Sequence, residues 1–290
     1  MPPSGLLESD WEGRSGTNHA AAGPVFARHP VFKWVTLEDT AFQYVYQLVR
    51  IESQINESVE TVRIAVISDI HSNYDALQAV LSATGAYDAL VCLGDLVGYG
   101  AQPNEVVSEV RSLKPQAVVM GNHDYAVSTG DTSGFVSHAV QAVEWTRKEI
   151  SSENLSYIAG LRSKTTFTAD GVKIALVHGS PRDPLNEYVY PSTPEFILRS
   201  LVDQSESQVL LLGHTHVPFS HKFGSRLIGN PGSIGQPRDG DPRASYAIIE
   251  SSNGFDFRVH RIDYDVEAAA SKIAIRGLPR LLADRLYLGF

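Results

Sequence analysis

Five short motifs along this 290-residue chain carry side chains that can bind metal. They are Asp69-Ile70-His71, Gly94-Asp95, Gly121-Asn122-His123-Asp124, His178-Gly179 and Gly213-His214-Thr215-His216. Their carboxylate, amide-carbonyl and imidazole groups are ligands that hard-to-borderline divalent cations accept. One such motif alone is weak evidence: a lone Asp after a strand is usually a helix cap, and a lone His a satisfied surface or core residue. Five motifs, each behind a strongly apolar run, supply enough ligands for a pair of divalent ions.

The apolar runs that precede the motifs read as strands. Ile64 to Ile67 is continuous, as in a strand buried on both faces, and Ala89 to Leu93, Ala117 to Met120, Ile174 to Val177 and Val209 to Leu212 follow the same pattern. Helical patterns lie between them. One follows Asn73 as its cap, with Leu77, Val80 and Leu81 on one face. Others span Asn104 to Leu113 (capped, with Val106, Val107 and Val110 grouped), Phe135 to Ile150 and Glu195 to Val202. After Gly213, strands at Arg226 to Ile228, Ser245 to Glu250 and Phe255 to Arg261 follow without helices between them. A last helical segment, Val266 to Leu288, breaks at Gly277-Leu278-Pro279. The expectation is an α/β fold, a four-layer αββα sandwich of two mixed sheets flanked by helices. Asp69, Asp95, Asn122, His178 and His214 each fall just past the C-terminal end of a strand, the edge at which open α/β sheets bind ligands.

In this order the motifs resemble the calcineurin-like metallophosphoesterase superfamily, in particular its small bacterial and archaeal phosphodiesterase-like members. The resemblance covers Thr61 to Phe290. It implies that Asp69, His71, Asp95 and His216 hold one metal and that Asp95, Asn122, His178 and His214 hold the other, with Asp95 bridging. It further implies hydrolysis by a metal-activated water, with His123 as general acid or transition-state stabiliser and Asp124 orienting the His123 imidazole. Two divalent ions are the implied cofactor, manganese first, with iron, nickel, zinc and magnesium as alternatives. Alternate side chains of an extended segment share one side, so Asp69 and His71 can reach one ion. The family divides the His-x-His pair between its ions, so the His214–His216 segment must turn.

The expected substrate is a small phosphate ester. Phosphodiester hydrolysis on small or nucleotide-type substrates leads; phosphomonoester hydrolysis is the alternative, and a non-catalytic binding module on the same fold is the alternative of another class. Protein serine/threonine phosphatases of this fold carry Gly-Asp-x-Val-Asp-Arg-Gly. Here the segment is Gly94-Asp-Leu-Val-Gly-Tyr-Gly100, with Gly98 and Tyr99 in place of the Asp and the phosphate-gripping Arg. Arg238, which ends the Gly-rich stretch 229–238, and Arg182, close behind His178, are candidate phosphate contacts. Tyr99 is a candidate face for a nucleobase. The competing readings are solvated loop arginines and a tyrosine lid over the core.

Composition sets the outer bounds. The chain is 43% hydrophobic and 20% charged, a globular balance, with a net charge of −9. An acidic surface without a basic stripe attracts no nucleic-acid backbone, so no stable nucleic-acid partner is expected. No run reaches the ~18 apolar residues of a membrane span, and no apolar leader opens the chain, so a cytoplasmic protein without membrane attachment is expected. Self-association stays open. The single cysteine, Cys92, permits no intrachain disulfide and sits in an apolar run as a small hydrophobe. Residues 1–60 carry no chemical motif, although Phe42 to Ile51 allows a short helix. They read either as a poorly ordered extension or as the product of a start assigned too far upstream, with 61–290 as the phosphoesterase domain in both cases.

Overall fold

A computed structural model describes residues 43–45, 47, 61–251 and 254–290. Residues 43–45 and 47 are helical. The rest of the N-terminal extension, including the remainder of its expected helix, lies outside the described residues.

The first sheet has the order β10-β9-β1-β2-β3. Strands β1 (Arg63–Ile67), β2 (Ala89–Cys92) and β3 (Ala117–Val118) are parallel, and β9 (Ala244–Glu250) and β10 (Asp256–Ile262) join antiparallel. The second sheet has the order β4-β5-β6-β8-β7. Its central strands β5 (Val172–Val177), β6 (Val209–Leu211) and β8 (Arg226–Asn230) are parallel; β4 (Lys164–Ala169) and β7 (Phe219–Phe223) are antiparallel edges.

Alternation along each strand builds the layers. Ile64 and Val66 of β1 meet Ile174, Leu176, Val209 and Leu211 of the other sheet in one buried cluster. Their neighbours Ala65 and Ile67 pack outward on Leu77 and Val80 of α1 (Tyr74–Thr84) and on Val106 and Val110 of α2 (Pro103–Ser112). On the far side, Leu210 packs on Leu198, Leu201 and Val202 of α6 (Glu195–Gln204). Each such Leu, Ile or Val contributes about 1.5–3 kcal/mol relative to exposure. The result is the expected αββα sandwich. No described helix is long and apolar enough to cross a membrane.

Several elements differ from the sequence reading. Asn73 caps α1 as expected, accepting from the Ala76 N–H at 3.1 Å. Asn104 does not cap α2: Pro103 already occupies the first turn, and the Asn104 amide instead donates to the Glu149 carbonyl and accepts from Ser151 N–H, both at 2.8 Å. The helix expected from Phe135 begins at Ser137, as α4 (Ser137–Glu149). The sequence reading did not contain α3 (Asn122–Thr129), α5 (Ser152–Ala159), β4 or β7. The C-terminal pair α7 (Val266–Ile275) and α8 (Arg280–Leu288) is separated at residues 276–279 as expected. Ala269, Ala270, Leu282 and Leu286 of this pair cluster with Ala139 and Ala142 of α4 and with Tyr99, so the last helices buttress the loop behind β2.

Candidate metal centre

The motif residues leave the strand ends through tight left-handed turns. Asp69, His71, Asp95, His214 and His216 all have φ between 48° and 67°. Non-glycine residues rarely adopt this region, and each costs of order 1–3 kcal/mol unless its surroundings hold it there. Backbone bonds do hold it: Asp69 N–H donates to Gly94 C=O (3.0 Å), His71 N–H to Asp95 C=O (2.9 Å) and Gly213 N–H to His178 C=O (2.9 Å). The expected turn in His214–His216 is present. The expected extended course of Asp69–His71 is not; the turned backbone, rather than strand alternation, brings these two side chains together. Gly121 is required by close approach, since a Cβ there would lie 2.0 Å from Asp95 Oδ1.

Two buried clusters result. Asp69, His71, Asp95 and His216 bring ligand atoms within 4.8 Å of one another, and so do Asp95, His178 and His214. The Asn122 carbonyl oxygen joins the second cluster, 3.1 Å from His178 Nε2. Asp95 belongs to both: its Oδ2 lies 3.5 Å from His71 Nε2 and 3.3 Å from His178 Nε2. Its Oδ1 is taken by the His123 N–H at 2.8 Å.

Surrounding groups aim each ligand. His71 Nδ1 meets the Val97 carbonyl (3.1 Å), His178 Nδ1 the Leu93 carbonyl (2.8 Å) and His216 Nδ1 the Gln236 carbonyl. A carbonyl accepts only, so these bonds place a proton on each Nδ1; on His71 and His216 they leave the Nε2 lone pair facing inward. His214 is reversed: its Nε2 faces the Asn186 carbonyl at 3.3 Å, and its Nδ1 points to the centre, 3.1 Å from His178 Nε2. Asp69 Oδ2 accepts from Ser68 Oγ (2.6 Å) and His214 N–H (3.1 Å). Asp69 Oδ1 is buried without a hydrogen bond among the described residues.

This donor set fits divalent cations. His71 Nε2 and His216 Nε2 stand 3.0 Å apart with both ring protons assigned elsewhere. Two facing lone pairs beside an unbonded carboxylate oxygen repel unless positive charge lies among them. Burial pushes His71 and His216 below their usual pKa and His214 down to about 3. Burial also acts against charge on His178, but the Asp95 and Asp69 carboxylates prevail and raise it to about 9. Burial disfavours the charged carboxylates too, yet the neighbouring imidazoles (chiefly His216 for Asp69 and His178 for Asp95) hold both below their usual range. The two carboxylates thus favour positive charge at His178, the charge that a cation among these ligands would supply instead.

The other candidate residues divide. His123 lines a chamber of about 110 Å³ together with Asp95, Asn122, His214, His216 and Arg238. Its ring packs on Tyr99 (4.3 Å between centroids), His71 and Phe135 (both 4.8 Å), and burial pushes its pKa down to about 4. Asp124 does not orient that imidazole. Its oxygens accept from the backbone N–H groups of Leu96 (2.9 Å), Val97 (3.2 Å) and Gly121 (3.0 Å), while His123 Nδ1 has no hydrogen-bond partner among the described residues. Asp124 thus ties the Gly121 turn to the loop behind Asp95. Burial and the Asp95 charge raise its pKa to about 7.

Arg238 reaches the chamber, held by the Tyr99 hydroxyl (3.2 Å) and Gln236 Oε1 (3.4 Å) with no ion pair among the described residues. Arg182 does not; Glu187, five residues on, takes its guanidinium in an ion pair at the surface. Tyr99 presents no open face to a base, because its ring is buried against His71 and His123 and its hydroxyl positions Arg238. Sequence reasoning missed Ser68, Asn230 and Ser233. Asn230 Nδ2 donates to the Gly213 carbonyl (2.6 Å), and Ser233 Oγ to the Asp69 carbonyl (2.7 Å). Their signal was weak; Asn230 and Ser233 lie in the Gly-rich stretch noted only for Arg238.

Comparison with known proteins gives the family. The profile of the calcineurin-like phosphoesterase superfamily domain matches residues 62–254. An uncharacterized protein of Methanocaldococcus jannaschii is 37% identical over 245 residues, covering 78% of this chain and 98% of the relative. Phosphodiesterase YfcE of Escherichia coli K12 is 25% identical over 193 residues, 66% of this chain and 88% of the relative. A crystal structure of a metallophosphoesterase from Sphaerobacter thermophilus superposes with a TM-score of 0.69 at 37% identity, covering 79% of this chain and 99% of that one. The chain belongs to the calcineurin-like phosphoesterase superfamily.

Proposed function

We propose that this superfamily member is a dinuclear-metal-dependent hydrolase of phosphate esters, acting by preference on phosphodiesters of small or nucleotide-type groups. One observation carries the reading: the Asp95 carboxylate stands between His71 of one ligand cluster and His178 of the other. The phosphodiesterase name of the Escherichia coli relative supports the diester preference. Asp69, His71, Asp95 and His216 would hold one ion, and Asp95, Asn122, His178 and His214 the other, with manganese the first candidate. When bound, such ions acidify a water and neutralise phosphoryl oxygens.

The chain's own residues do the rest. Arg238 donates from the chamber wall to a phosphoryl oxygen, anchored from behind by Tyr99 and Gln236. His123, held neutral by burial, acts as an N–H donor to an oxygen gaining charge. Asp95 Oδ1 and Asp124 fix the main chain at His123 and Gly121, and Tyr99 and Phe135 pack around the His123 ring.

The test is hydrolysis of a panel of phosphodiesters and phosphomonoesters by the purified chain with Mn²⁺, Fe²⁺, Ni²⁺, Zn²⁺ or Mg²⁺, with and without chelator. Metal-dependent turnover is expected, fastest on diesters. Protein that carries two ions and turns over none of the panel refutes the reading and favours a binding module.

A further inference from the structure

The chamber beside His123 and Arg238, about 110 Å³, has room for a phosphoryl group. A second cleft, of about 430 Å³, opens beside it. Asn122, Gly134, Phe135, Tyr188 and His214 line both, so they form the doorway between the two spaces. A group esterified to a phosphate in the chamber has a path through this doorway into the cleft.

The lining of the cleft describes that group. Tyr125 and Tyr188 present open surface, at 38% and 49% exposure, and Phe135 stands between the spaces. Tyr188 is braced from one side by His214, ring centroids 4.0 Å apart, and lies parallel to Tyr190 at 5.9 Å. Among the described residues the cleft wall has no Lys or Arg and one carboxylate, Asp131. The chamber, by contrast, has Arg238. Among the described lining residues, cationic side-chain charge therefore lies at the place of the reacting phosphate, on Arg238. A second phosphate in the cleft would meet Asp131 and no compensating cation, which disfavours polyphosphate chains and nucleic-acid backbones. An uncharged planar ring would meet aromatic faces, and an edge bearing N–H or O–H groups would meet the accepting Asp131.

We propose, resting on the phosphoesterase reading, that this cleft is the seat of a planar aromatic group of nucleobase size on a substrate with a single phosphate. Tyr188 and Tyr125 are its stacking faces, and Asp131 reads its edge.

Calorimetry on the full chain loaded with Mn²⁺ tests this without requiring turnover. The ligands are adenosine 5′-monophosphate, ribose 5-phosphate and phenyl phosphate; the first two share the same phosphate and sugar and differ by the base. Stacking on an aromatic side chain predicts binding of the nucleotide about tenfold tighter than the sugar phosphate. Tyr188→Ala and Tyr125→Ala should each reduce that ratio, and Tyr188→Phe should keep it. Phenyl phosphate bound as tightly as the nucleotide assigns the seat to any aryl ring; bound like the sugar phosphate, it assigns the seat to a base. Equal affinity for nucleotide and sugar phosphate in the unaltered chain overturns the proposal, as does a ratio that survives both alanine variants. The ester panel separates this from the hydrolase reading. Turnover without a base preference sinks the aromatic seat alone, and a base preference without turnover sinks hydrolysis alone.

Discussion

The proton that the two carboxylates favour on His178 gives a quantitative handle on metal binding. A metal ligand must present a lone pair, so the His178 Nε2 proton has to leave when the second cluster is loaded. The residue's pKa of about 9 lies about two units above neutral pH, which weakens binding at pH 7 by about 3 kcal/mol, on the order of a hundredfold. His71, His214 and His216, pushed down by burial, are already neutral there and have no proton to release. Titration of metal-free protein with Mn²⁺, by calorimetry in two buffers of different ionisation enthalpy, should therefore count the His178 proton and at most about one more from an acidified water at pH 7, rather than one per histidine. Apparent affinity at the second cluster should rise about tenfold per pH unit between pH 6.5 and 8. His178→Gln should lower the count by about one. The same proton acts on stability. The folded value lies above the unfolded 6.5, so its contribution is present below pH 6.5 and is lost as pH rises through about 9. The melting temperature of metal-free protein should fall across that window. No proton release at pH 7, or release of three to four protons by the estimate of one per imidazole, would refute the assignment.

Five substitutions probe the rest. His123→Asn should retain both ions by elemental analysis and lose about 10²–10⁴ in kcat. Asp124→Asn leaves a single carbonyl oxygen where two oxygens accept three buried backbone N–H groups, so a loss of about 1–3 kcal/mol should appear in denaturant titration. Gly121→Ala places a methyl against Asp95 and should lower metal content at both clusters, readable by elemental analysis. Arg238→Ala should raise KM for phosphate esters at least about tenfold, the loss of a charge-assisted hydrogen bond. Arg182→Ala, which breaks a surface ion pair with Glu187, should change stability by no more than about 1 kcal/mol and leave hydrolysis unaltered in the same assay.

The sequence carried the central strands and the ligand types in readable form, for physical reasons. A parallel strand buried on both faces is a continuous apolar run, as in Ile64–Ile67, and every motif follows such a run. The edge strands β4 and β7 escaped notice because half of their residues face water; Lys164, Thr166 and Thr168 read as loop. Helix α3 escaped because its first turn is the Gly-Asn-His-Asp motif itself. Its signals were present, with Asp124 capping the Gly121 N–H and Gly130 ending the helix in the left-handed conformation. Side-chain roles set by long-range contact were the least legible. Asp124 lies next to His123 in sequence, but its donors are the backbone N–H of Gly121, three residues back, and those of Leu96 and Val97, 28 and 27 residues away. Arg182 and Arg238 looked equivalent as loop arginines. Glu187 takes the first, and the fold brings the second onto Tyr99, 139 positions away.

The central claim is that Asp95 joins two ligand clusters into one hydrolytic centre. Metal content and phosphodiester turnover measured on the same preparations of the unaltered chain and of Asp95→Asn test it most directly. Two ions per chain and chelator-sensitive turnover are expected for the first. For the variant, depletion of both ions and loss of turnover are expected. One ion per active chain, or an Asp95→Asn protein that keeps two ions and full turnover, would contradict it.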